Sequence, residues 1–101
     1  MNRLDLHEKF LSVLGSNNVY FQPPESIKIK YPAIIYSLDN IKTGYADNEK
    51  RYMFDRYRVT LVDPNPDNEF IDKIMRLPYS EFNNHFVTSG LHHYNFTIYN
   101  A

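Results

Sequence analysis

The chain has 101 residues, with eleven basic and twelve acidic side chains and no cysteine. That length fits one domain, spanning residues 1 to 101, able to bury about 60 to 70% of its unfolded surface, and the lack of thiols excludes disulfides, cysteine zinc sites and thiolate nucleophiles. The near balance of charge gives no global field for nucleic acid or an anionic bilayer, so affinity for either would need a local patch.

Met1-Asn2-Arg3-Leu4-Asp5 has no apolar run behind its Arg, and no stretch of about eighteen uncharged apolar residues occurs, so neither a signal peptide nor a membrane span is expected. Asn2 is a candidate N-cap, and Leu4, Leu6, Phe10, Leu11, Val13 and Leu14 make an apolar stripe that ends at Gly15, predicting a helix over residues 3 to 14. Val19-Tyr20-Phe21 reads as a short edge strand that Pro23-Pro24 stops, since proline cannot donate to a ladder. Residues 25 to 30 fit an extended edge or an ordered loop equally. Pro32-Ala33-Ile34-Ile35-Tyr36-Ser37-Leu38 is apolar at nearly every position, as expected of a central strand covered on both faces. Residues 51 to 63 alternate instead, with Met53, Tyr57, Val59 and Leu61 on the buried parity and Arg56, Arg58 and Thr60 on the wet one. Between these two strands, residues 39 to 50 read as a long polar loop, and connections of that length are usually functional or disordered. The expectation is that this loop orders only in an assembly, with Ile41, Tyr45 and Ala46 as its anchors.

Pro64-Asn65-Pro66-Asp67 breaks the strand and offers Asp67 as the N-cap of a second helix, residues 67 to 77, burying Phe70, Ile71, Ile74, Met75 and Leu77. Residues 79 to 87 and 91 to 99 then read as a hairpin around a three-residue loop, Thr88-Ser89-Gly90. That loop sets Phe82 opposite Phe96 and Phe86 opposite His92 on a core face, with His85 opposite His93 outside. The whole order predicts an α+β domain: one mainly antiparallel β-sheet packed against two helices, with a long loop between two central strands. Phe10, Leu14, Ile35, Val59, Leu61, Ile74, Phe82 and Phe96 are the predicted core.

Nine Tyr and seven Phe without Trp suit either a protein interface or simply an aromatic-rich sheet. His85 and His93 could share a metal ion, but a third ligand is needed and Glu81 is marginal for reach, so no metal or cofactor is expected. The three glycines are scattered, no phosphate cradle, nucleophile elbow or His-Glu-x-x-His pair occurs, and the chain reads as a non-enzyme. A cluster of Lys28, Lys30, Lys42, Lys50, Arg51, Arg56 and Arg58, interleaved with Tyr31, Tyr45, Tyr52 and Phe54, has the cations and rings that single-stranded nucleic acid requires. Asp39, Asp47, Glu49 and Asp55 lie among them, and a mixed-charge protein surface explains the same residues at least as well.

Tyr31-Pro32-Ala33-Ile34-Ile35-Tyr36, Tyr45-Ala46-Asp47-Asn48, Tyr57-Arg58-Val59-Thr60-Leu61-Val62-Asp63 with Pro66-Asp67, then Leu77-Pro78, Phe82 and Leu91-His92-His93 through Phe96-Thr97-Ile98-Tyr99 follow in an order that resembles the tail-completion proteins of long-tailed bacteriophages and prophages. That family includes the tail terminators, or tail-to-head joining proteins. The resemblance covers roughly residues 30 to 100, and departs at Leu91-His92-His93, where the family pattern has Leu-Asn-His. It implies a structural virion protein at the head-proximal end of the tail, assembled in the bacterial cytoplasm. Its partners would be further copies of itself in a typically six-fold ring, the tail tube protein and the head connector, with DNA only passing through and no membrane involved. A monomeric free subunit, closing into a ring only on the tube end, is compatible with this role. For those contacts, the tyrosines and mixed charges of the 39 to 50 loop and residues 51 to 58 are the expected surface: Lys42, Tyr45, Asp47, Asn48, Lys50, Arg51, Tyr52, Arg56 and Arg58. The alternatives are another head-tail connector, a stopper or adaptor, and a small single-stranded nucleic acid binding domain.

Overall fold

The computed structural model describes residues 3–46 and 49–100. They form α1 (Arg3–Leu14), β1 (Val19–Phe21), β2 (Ala33–Ala46), β3 (Glu49–Asp63), α2 (Phe70–Met75), β4 (Ser80–Thr88) and β5 (Leu91–Asn100). The strands make one mixed sheet in the order β1-β2-β3-β5-β4, with β1 parallel to β2 and every other pair antiparallel. The fold is α+β, as the sequence predicts. The first helix and the first strand keep their predicted bounds, and β1 lies at an edge. Gly15, at φ +71, closes α1 by donating its N–H to the Leu11 carbonyl at 2.9 Å, a conformation that favours glycine.

Strand alternation decides which side chains meet the helices. Ile34 and Tyr36 of β2, Tyr57, Val59 and Leu61 of β3, and Tyr94, Phe96 and Ile98 of β5 form one buried cluster with Leu6, Phe10, Val13 and Leu14 of α1 and Ile74 of α2. Tyr36 lies at its centre, with the rings of Phe10, Phe21 and Tyr57 within 5.9 Å of its own. Its hydroxyl accepts from Arg3 Nη1 at 3.2 Å and lies 2.6 Å from His7 Nδ1. A hydroxyl has one proton, so with Arg3 donating to its oxygen it can donate to a neutral imidazole. Burial, reinforced by Arg3, holds the His7 imidazole below its ordinary range, and burial pushes the Tyr36 phenol up.

Several expectations are corrected. The long loop of residues 39 to 50 is strand throughout its described length, because β2 runs to Ala46 and β3 begins at Glu49. The helices cover one face of the sheet only, so Ile35, on the other face, is half-buried, and Leu38, on the helix face but past the end of the helical layer, is exposed. Met53 shares the parity of Tyr57 but lies beyond the helical layer, where it is exposed. The second helix is confined to Phe70–Met75 because the preceding Asx side chains capture the backbone first. Asp63 Oδ1 accepts from the Asn65 amide, Asn65 Oδ1 from Asp67, and Asn68 Oδ1 from Phe70, all at 2.9 to 3.1 Å, so Asp67 is not the N-cap. Of the predicted face of this helix, Ile74 is buried, Phe70, Ile71 and Leu77 pack against the core partly buried, and Met75 is exposed.

The closing hairpin exists, but its turn has two residues, Ser89 and Gly90, both left-handed at φ 52 and 73. This pairing of positive φ values suits the right-handed twist of the strands. It shifts the register near the turn, and a bulge between Phe82 and Asn84 restores the expected register beyond it. Phe82 therefore does face Phe96, with rings 5.5 Å apart, while Phe86 stacks on His93 and His85 on Tyr94. Phe82, on the helix face but at the sheet edge, and Phe86, which the register sets on the helix-free face beside His93, are both nearly half exposed, so neither joins the expected core.

Leu61 is fully buried, and Leu61→Ala should cost about 2 to 5 kcal/mol in urea unfolding, whereas Phe86→Ala on the open edge strand should cost less than about 1 kcal/mol. A depressed folded-state His7 pKa means that acid protonates the unfolded chain first. Stability should therefore fall as pH drops through the ordinary histidine value of 6.5. Equilibrium unfolding of His7→Gln against wild type should show a shallower fall in the same window.

Candidate functional site

The β2–β3 pair outruns its neighbours at one end. Parallel pairing with β1 stops at Tyr36, and β5 leaves β3 at the Asp55–Asn100 pair. Residues 40 to 46 and 49 to 54 thus form a two-stranded arm. At about 3.3 Å per residue, a strand the length of β2 spans roughly 46 Å, which accounts for most of the 51 Å long axis of the molecule.

A bulge marks the base of the arm. Leu38 pairs with Tyr57 and Asn40 with Arg56, leaving Asp39 as the extra residue. Arg56 grips Asp39 Oδ2 through Nε and Nη2 at 2.9 Å, and Arg58 Nη2 approaches Oδ1 at 3.4 Å. The carboxylate is a quarter exposed, so the pairs set direction more than they add stability.

Of the sequence-predicted interface residues, Lys42, Tyr45, Lys50, Arg51 and Tyr52 lie on the arm and Arg56 and Arg58 at its base; Asp47 and Asn48 lie outside the described residues. Tyr45 pairs with Lys50 and Tyr52 with Gly44, and Arg51 falls at a register shift. Lys42 Nζ stands 5.3 Å from the centre of the Tyr99 ring. Lys28, Lys30 and Tyr31 belong to the β1–β2 connection, residues 22–32, so the basic cluster is drawn from two different segments. Arg56 and Arg58 are also committed to Asp39, which reduces what the cluster offers to phosphate. Sequence reasoning put Met53 on the buried parity and Ile41 among the loop anchors, yet both are exposed on the arm, at 57% and 51%, and Leu38, just before the bulge, is 43% exposed. The signal was Met53 itself, whose parity matches the core strand while no helix is long enough to reach it.

The helix-free face of the sheet is polar and cross-braced. Thr60 Oγ1 donates to Asn95 Oδ1 at 2.7 Å, Asn95 Nδ2 to Asn84 Oδ1 at 2.6 Å, and Asn83 Nδ2 to Thr97 Oγ1 at 2.8 Å. With Arg58, Phe86 and His93, several of these residues line an open depression. At its border β4 presents nine residues at the sheet edge, exposed at every position but Ser80, with Phe82, Phe86 and Val87 among them and Glu81 its sole acidic or basic charge. It carries none of the Lys or Pro that commonly guard an edge strand. At the opposite edge, beyond β1, the Leu38 amide donates to Gln22 Oε1 at 3.2 Å and the Ile41 amide to Asn40 Oδ1 at 2.8 Å, so side chains cover part of it.

His85 does not meet His93. Its Nε2 lies 3.0 Å from His92 Nδ1, one imidazole donating to the other, and both rings stack toward Tyr94. Among the described residues no group of three or more His, Asp or Glu side chains is placed to hold a metal ion, and no helix is long and apolar enough to cross a membrane. No protein-family model, curated protein or solved structure matches the chain.

With only two strands and no helical cover, arm amides should exchange with deuterium faster than those of residues 57 to 61 in the core of the sheet. Asp39→Ala should accelerate exchange at residues 38 to 42 further while changing global stability by less than about 1 kcal/mol.

Proposed function

We propose that this chain is a structural subunit of a phage tail, a tail terminator that closes as a ring on the tube end and docks it to the head connector. The observation that carries this reading beyond resemblance is the two-stranded arm, with exposed Ile41 and Met53 beside exposed Lys42, and exposed Leu38 at its base. Apolar side chains on a projecting hairpin are costly in an isolated subunit and gain their burial in a heterologous contact with a neighbour. The sheet has bare backbone at both ends, on β4 and along the arm. Contacts that use both ends, repeated around a closed ring, leave no free edge and stop growth at a fixed number of copies. A protein that terminates a polymer does so by matching surfaces, which requires no catalytic residues.

The single-stranded nucleic acid alternative is weakened by the Asp39 pairs, which occupy two of the seven cations it needs. In a phage lacking this protein, complementation with Tyr45→Ala or Lys42→Glu should reduce joined, infectious particles by at least about tenfold, the scale of losing one interface hot spot. Arg56→Glu should do the same through misdirection of the arm, with circular dichroism unchanged for all three. Unchanged particle yield would remove the arm from the interface. Oligonucleotide affinity that falls steeply with salt would favour the nucleic acid reading instead.

A further inference from the structure

The histidines of the closing hairpin have no part in the reading above. His93 takes the helix-free face, where its ring lies against Phe86 and its Nδ1 is 3.2 Å from the Leu91 carbonyl. His85 and His92 take the opposite face, that of Tyr94, because the register sets His85 against Tyr94 and His92 lies two residues before it. Their rings come from adjacent strands, lie within 6° of parallel, and bring His85 Nε2 to 3.0 Å from His92 Nδ1. Tyr94 is a fixed floor for the pair: its ring is 4.5 Å from that of His85, it is buried, and its hydroxyl donates to the Pro66 carbonyl at 3.4 Å. His85 is exposed, so the pair is open to solvent from the sheet edge. The surroundings are anionic. Asp63 stands opposite His92 in the β3–β5 register, and burial, reinforced by the Asp63 and Asp67 carboxylates, pushes the Tyr94 phenol up.

We infer that His85 Nε2 and His92 Nδ1 chelate a divalent transition-metal ion of tetragonal preference, with Cu(II) the best match. Imidazole nitrogens suit such ions, and Cu(II) stands at the top of the affinity order for them. At a metal–nitrogen distance of about 2.0 to 2.1 Å, nitrogens 3.0 Å apart subtend close to a right angle at the ion. That is the angle between neighbouring positions of a tetragonal site and is narrow for tetrahedral zinc, which also wants more protein ligands than these two. One proton lies between the two nitrogens in the hydrogen bond. Moving it to the far nitrogen of its own ring frees both lone pairs and leaves each imidazole neutral. The lone pairs then turn from one another to the ion by rotation about χ2, a torsion with broad minima in histidine. Asp63 is not a third ligand: its Oδ1 accepts from the Asn65 amide, and among the described residues no three such groups converge on one ion. Its carboxylate adds a field that favours a cation. Water fills the other positions, and the ion ties the edge strand β4 to β5 outside the core. The site uses no residue of the arm and no backbone of the β4 edge, so it does not rest on the ring reading.

The test is titration of the full chain with Cu(II), read by calorimetry, electron paramagnetic resonance and a ¹⁵N correlation spectrum. A single tight ion should bind, with nitrogen couplings from two imidazoles and paramagnetic broadening centred on residues 84 to 88 and 91 to 94. His85→Gln and His92→Gln should each weaken binding by at least about tenfold, the least that losing even an outer partner of a metal site costs. His93→Gln, on the other face, should leave it unchanged. Cu(II) should raise the melting temperature of wild type and His93→Gln but not of the other two variants. The broadening maps the site in the unaltered chain, should a variant not fold. Zn(II) binding as tightly as Cu(II) overturns the assignment to a tetragonal ion. Coupling to one imidazole, broadening centred elsewhere, or undiminished affinity in His85→Gln overturns the site itself.

Discussion

The β2–β3 ladder is the constraint on which the rest of the molecule depends. Over its first half it is the middle of a sheet, with Ile34, Tyr36, Tyr57, Val59 and Leu61 held against α1 and α2. Past the Asp55–Asn100 pair the same two strands continue without neighbours or helical cover, so one pair of strands, bulged at Asp39, joins a packed core to an exposed arm. The Asp39 bulge is the point of change. It inserts one residue, and its carboxylate faces Arg56 and Arg58, which come from the opposing strand. Core stability and arm direction are thereby coupled through a single pair of strands.

The short helical layer has two consequences. It leaves the arm, β4 and the polar sheet face open to partners, and it leaves Leu38 and Met53 exposed although they share the parity of the core. Both follow from α1 covering twelve residues and α2 only six, while the strands beneath extend much further. Under the reading proposed above, surface not buried within the fold would be left to be buried between copies.

The core was legible in the sequence because it obeys simple periods. The apolar stripe from Leu6 to Leu14 and the alternation of Tyr57, Val59 and Leu61 need only a 3.6-residue or two-residue repeat to be recognised. The arm was not legible for the same reason: a two-stranded ribbon wet on both faces has no alternation to detect, and Asn40, Gly44 and Asn48 read as loop. Nor was the Asn83 bulge legible, since Asn83-Asn84 differ from their neighbours in nothing that sets register; with the two-residue turn it put Phe86 on His93 and not His92. The second helix was overextended because Asp67 and Asn68 serve as well in Asx turns as in a cap. Of the candidate interface, the strand positions of Arg56 and Arg58 were within reach of pattern reasoning, whereas Lys42 read as loop and the Asp39 clamp depends on one extra residue that no period reveals.

The most direct measurement is an electron cryomicroscopy reconstruction of tails completed with this protein. The account predicts a closed ring at the head-proximal end of the tube, each subunit's arm lying against the adjacent copy and Leu38, Ile41 and Met53 covered by it. A ring whose arms point into solvent, or tails whose ends carry no density for this chain, would contradict it.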